Sequence, residues 1–180
     1  MTESRYIMYS ILAGIIAGII TGIVLFIKMS NVFNDFIYEL TFHQLVSGGL
    51  SEEEATYIAR TTTLRLAGLM NWLLLIGPII NMLLLGALLG VLLDILIKKV
   101  NLRPWLASIV VGLIFITLLR LLPLYLIGKF YDKWLINTMF KYIGLHLILM
   151  PSIIYTIMLV LFNTIKGPWT RVAEAKPEIY

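Results

Sequence analysis

LAGLMNWLLLIGPIINMLLLGALLGVLL, residues 66–93, runs for 28 positions without a charged side chain. As a helix it is about 42 Å long, against a hydrocarbon core of about 30 Å. Two readings are open. One is a single long helix, tilted or kinked where Gly77-Pro78 removes a hydrogen bond and crowds the preceding turn. The other is a hairpin at Gly77-Pro78 joining two short spans. The hairpin forces its upstream half to bury Arg60 or Arg65, so the single helix is the expectation. That choice sets the number of spans at four and puts both termini on one side.

The neighbouring stretches agree. Residues 7–27 and 142–165 carry no charge over 21 and 24 positions, and 105–127 carries only Arg120. Each is long enough to span a bilayer. The whole chain is 60% hydrophobic and 13% charged, where soluble domains average about 25% charged. Its mean hydropathy is +0.95. Residues 7–27 are too long for the apolar core of a signal peptide and read as a retained anchor. The expected fold is all-α: one polytopic membrane domain over 1–180, a four-transmembrane-helix bundle. Its spans are 7–27, 66–97, 105–127 and 142–165. A short amphipathic helix lies at the interface after the first span, within an outer segment 31–65, and 166–180 is a polar tail.

Several chemistries lack their residues. Without cysteine there are no disulfides, thiolate metal sites, cysteine-ligated clusters or c-type haem attachment. The phosphate-loop, HExxH and GxSxG patterns are missing. The expectation is therefore a protein that is not an enzyme and has no cofactor. The formal charge is +4, and no basic run exceeds two residues. The basic residues read as topology signals, not as a nucleic-acid surface. The expected partners are the lipid bilayer and other membrane subunits or a second copy of the chain.

In the first span Gly14, Gly18 and Gly22 fall four apart, beside a stripe of Ala13, Ala17 and Thr21. Small residues at this spacing let another helix backbone come close. The expectation is tight packing, within the chain or to a copy, with Gly86 and Gly90 as the natural partner face. A lining for a substrate path is the alternative. In 31–50, Asp35, Glu39 and His43 fall at i, i+4 and i+8. They read as the solvated face of an interfacial helix, or as ligands of a divalent cation. Ser51 and Glu54 have capping-box spacing for the next helix.

Arg120, His146 and Asp94 are the polar intramembrane candidates. Asp94 reads as the i,i+4 partner of Lys98, or as a functional acid facing a cavity. It lies about 17 Å from Arg120 in depth, too far to pair with it. Three partners remain for Arg120: the Leu119 carbonyl freed by Pro123, His146, and the acids Asp35, Glu39 and Glu52 to Glu54. Snorkelling of the guanidinium is a further way to reduce its cost. An intramembrane charge is costly and a functional candidate by default, beside an anchoring or packing role.

The stretches LAGIIAGIITGIV (12–24), EEEATYIARTTTLRLAG (52–68) and RPWLASIVVGLIFITLLRLLPLYL (103–126) together resemble the CbtA family of cobalt-transporter subunits. The resemblance covers about the first two-thirds of the chain and implies a role in divalent-metal uptake. The residues themselves favour a non-catalytic accessory or structural subunit of a larger membrane complex. A transporter or channel component is the alternative, and an intramembrane enzyme lacks its catalytic set. Positive-inside counting weighs the basic loop 98–104 most heavily, placing it and both termini in the cytoplasm, at the plasma membrane.

Overall fold

Residues 52–98 form one helix, α3 (Glu52–Lys98), in the computed structural model, which describes residues 5–30, 32–130 and 133–165. Gly77-Pro78 lies inside this helix, so no hairpin forms there. Pro78 leaves the Leu74 carbonyl without its usual helical donor. The helix begins on the expected capping box: Ser51 Oγ accepts from the Glu54 N–H at 3.4 Å, and the Ser51 N–H donates to the Glu54 carboxylate at 3.3 Å.

The other elements are α1 (Arg5–Met29), α2 (Phe33–Ser47), α4 (Pro104–Ile116), α5 (Leu122–Phe130), α6 (Lys133–Tyr142) and α7 (Gly144–Thr164). A π-turn, Thr117–Leu121, joins α4 to α5. No strand occurs among the described residues. Four helical stretches are long and apolar enough to cross a membrane: Arg5–Met29, Asn71–Lys98, Pro104–Phe130 and Gly144–Thr164. The tail at 166–180 lies outside the described residues.

α1 and α3 run antiparallel with their backbones close together. A Cβ added to Gly18 would stand 2.7 Å from the Ile79 Cα, and one added to Gly90 would stand 2.9 Å from the Ile7 Cα. Gly14 faces Met82 and Gly86, and Gly22 faces Leu75. Such an approach gains dispersion contacts that a side chain would block. α4 meets α7 with Gly112 against the Thr156 side chain. Asn163 Nδ2 donates to Ser108 Oγ at 3.1 Å across this contact. At the centre Tyr155, fully buried, shares a 2.5 Å hydrogen bond with Ser10 of α1. Ser10 in turn donates to the Gly86 carbonyl at 2.5 Å. Three helices are thus tied at one polar point inside an apolar core.

This arrangement puts the start of α1, the 99–103 loop and the end of α7 at one end of the bundle. Reporter fusions at the two termini and in the 99–103 loop are expected to report the same compartment. A terminus on the opposite side from the loop would contradict the four-span threading.

α2 and α6 cover the opposite end. α2 exists as expected but lays its apolar side on protein: Phe36 is buried, with its ring 5.6 Å from that of Tyr142 in α6. Ala55 and Ala59 of α3 are fully buried where α2 packs on that helix. Gly48 closes α2, and Gly49 turns the chain with φ +95°, which glycine adopts without strain. α6 lies between the third and fourth expected spans, where no element is expected from the sequence. Its apolar positions Leu135, Ile136, Met139 and Phe140 have helical period, a signal that ten residues carry weakly.

Candidate functional site

The site is built around the third long apolar stretch, Pro104–Phe130. Pro123 cannot donate a hydrogen bond, and the helix meets it with a wide turn in which the Leu122 N–H reaches the Thr117 carbonyl, five residues back. The turn re-aims Arg120. In an α-helix, residues five apart point about 140° apart. Phe115 faces the core, with its ring edge-on to Tyr155 at 5.5 Å. A regular helix would therefore turn Arg120 away from the core. One i→i+5 turn closes most of that angle. The Arg120 guanidinium carbon stands 5.3 Å from the Phe115 ring centroid, within cation–π range.

Arg120 opens into a cleft of about 300 Å³ where the spans meet α2 and α6. α1 contributes Thr21 and Met29, α3 contributes Pro78 and Asn81, and α7 contributes Leu147 and Pro151. Only Thr21, Asn81 and Arg120 are polar in the lining. Thr21 Oγ1 and Arg120 Nε are buried, and neither has a hydrogen-bond partner among the described residues. Two prolines border the cleft. Pro78 and Pro151 each remove one helical donor, from the Leu74 and Leu147 carbonyls, and both leucines line the same cleft. Buried polar groups are usually paired, so unpaired ones mark a place where a ligand or ordered water completes the set.

None of the three partners expected for Arg120 holds it. The Leu119 carbonyl accepts nothing from it, because the wide turn directs the guanidinium toward Phe115. His146 is exposed and does not line the cleft; its ring sits against the backbone of Gly144, where φ is +73°. The acids of α2 and early α3 have other places. Glu39 accepts from Lys141 at 2.8 Å and from the Tyr142 hydroxyl at 2.6 Å. Those two bonds, Lys141's first, hold the Glu39 carboxyl below its ordinary range. Glu54 is held low by the Ser51 cap.

The row Asp35, Glu39 and His43 does not converge on one point. His43 stacks on Trp134 of α6 with centroids 3.7 Å apart. Asp35 lines a polar groove with Tyr38 and Arg60. Among the described residues no group of three or more acids and histidines is placed to hold a metal ion. The reason is geometric: three positions spread over two helical turns were claimed one by one by neighbouring elements. Asp94 pairs with Lys98 at 2.7 Å, at the other end of the bundle from Arg120.

Two cleft residues are not among the site candidates that the sequence suggests. Asn81 carries a detectable signal, as one of two carboxamides, with Asn71, in a 28-residue uncharged run. Thr21 falls on the packing stripe, and its spacing does not distinguish it from Ala13 or Ala17. No family model matches the chain, and neither a curated protein nor a solved structure matches it.

Proposed function

We propose that the chain is a non-catalytic integral membrane protein that holds an anionic group at Arg120, as a ligand-binding or transport component. The observation that carries this reading is a buried guanidinium Nε without an acceptor, at the wall of a cleft with no acidic side chain in its lining. A guanidinium presents a planar fork suited to carboxylate and phosphate oxygens. A divalent cation, the cargo that the resemblance implies, would meet repulsion here and no carboxylate or imidazole ligand. The basic 98–104 loop supports a cytoplasmic placement of both termini at the plasma membrane.

Asn81→Asp tests the reading by supplying a carboxylate from inside. The variant is expected to raise the thermal midpoint, since a charge-assisted contact contributes about 1.5–3 kcal/mol. Adding Arg120→Gln should cancel the gain. The same midpoint shift for Asn81→Asp in the presence and absence of Arg120→Gln would show that the two positions do not interact.

A second reading, an accessory subunit of a larger complex, draws on α3. Its first 14 residues, 52–65, precede the uncharged run that begins at Leu66 and extend about 21 Å. α2 covers one side of them, while Tyr57 and Leu64 are 73% and 74% exposed on another. Such large exposed side chains beyond the apolar span suit a protein partner or a second copy.

A further inference from the structure

Resting on the anion reading, we infer that the ligand of the Arg120 cleft is an amphiphile, with one carboxylate or phosphate headgroup on an apolar tail, taken sideways from the bilayer. Three observations converge. First, the walls beyond Thr21, Asn81 and Arg120 are hydrocarbon or thioether. A small free anion would lose its hydration against them with only three polar groups in return, whereas an amphiphile brings a tail that the walls solvate.

Second, about 300 Å³ is at the small end of ligand pockets, which run from about 300 to 1,000 Å³. It takes a headgroup and the first part of a tail. The rest of the tail extends beyond it, along the outer surface of the bundle. A separate, mostly apolar cleft of about 380 Å³ lies on the neighbouring face, lined by Leu121, Leu124, Tyr125 and Lys129 of the third apolar stretch, Phe140 of α6 and Leu145 of α7, and shares no lining residue with the first.

Third, the third span leaves the bundle at the π-turn. Its first half buries Ala107, Ser108, Val111, Gly112 and Phe115, while the π-turn and α5 bury nothing. Beyond Arg120 this span packs chiefly on α6. The gap it leaves faces the surrounding lipid, which is where an amphiphile resides. Three roles then fall together: Arg120 takes the headgroup, Thr21 and Asn81 add hydrogen bonds, and the apolar walls of the same cleft take the first part of the tail.

The test uses the full chain in a neutral maltoside detergent, free of carboxylate and phosphate, and measures saturable binding of labelled dodecanoate. Unlabelled dodecyl phosphate is expected to compete. Dodecanol, acetate and inorganic phosphate are expected to compete at least tenfold more weakly. Arg120→Gln should weaken dodecanoate binding about tenfold or more. Arg120→Lys, which keeps the charge but not the fork, should fall between. It also serves as the informative variant if Arg120→Gln does not fold. Acetate or phosphate competing as well as dodecyl phosphate overturns the amphiphile and leaves the anion reading standing. Dodecanol competing equally, or no saturable binding by any probe, overturns both.

Discussion

Gly18→Leu protein is expected to lose the α1–α3 contact and with it the bundle. A Cβ at position 18 would stand 2.7 Å from the Ile79 Cα and 2.9 Å from the Pro78 carbonyl oxygen. Both obstacles are backbone, so no rotamer change relieves them and the two helices must separate. Overpacking usually costs about 1–3 kcal/mol; a forced separation of two spans belongs at or above the top of that range. Gly68→Ala is the control in the same molecule, because nothing lies within 4 Å of the added carbon. It should be neutral or gain up to about 1 kcal/mol from helix propensity. Thermal unfolding in a neutral detergent reads both. A Gly18→Leu midpoint equal to that of the unmodified protein would overturn the close approach.

Tyr155→Ala carries the second large effect. Tyr155 is fully buried, packs edge-on against Phe115 and hydrogen-bonds Ser10 of α1. Truncating a large buried aromatic costs about 3–5 kcal/mol, through lost contacts and the cavity left behind. Tyr155→Phe separates the two contributions. It keeps the ring and removes only the hydroxyl, so it should cost about 1 kcal/mol. Ser10 would still donate to Gly86, which limits the loss. Equal losses for the two substitutions would mean that the hydroxyl, not the ring, ties α7 to α1. A loss below about 1 kcal/mol for Tyr155→Ala would contradict the burial itself.

Both variants act at contacts that differ in how visible they are along the chain. The Gly14, Gly18 and Gly22 row is a local pattern, readable because its period matches one helix face. The Ser10–Tyr155 bond joins residues 145 positions apart, and neither residue differs in its local setting from Tyr9 or Ser152. The α4–α7 contact is intermediate. Ser108 and Gly112 stand four apart, as do Ser152 and Thr156, so small-residue spacing marks both faces without pairing them.

What the sequence determined by itself is what hydropathy and period control: four long apolar helices, the capping box at Ser51, the Asp94–Lys98 pair, and an uninterrupted helix through Gly77-Pro78. Each depends on residues a few positions apart, where propensity, burial and charge spacing act directly. The tertiary structure alone decided the surroundings of Arg120. A proline three residues on implied a disturbed turn, but not a widening that would bring Arg120 beside Phe115, with no acceptor in reach. That outcome depends on Phe115 being held by Tyr155, on Pro78 and Pro151 meeting at one level, and on α6 drawing α5 out of the bundle. A side chain's direction at a helix defect is set by what packs on either side of it, and those neighbours come from every other part of the chain.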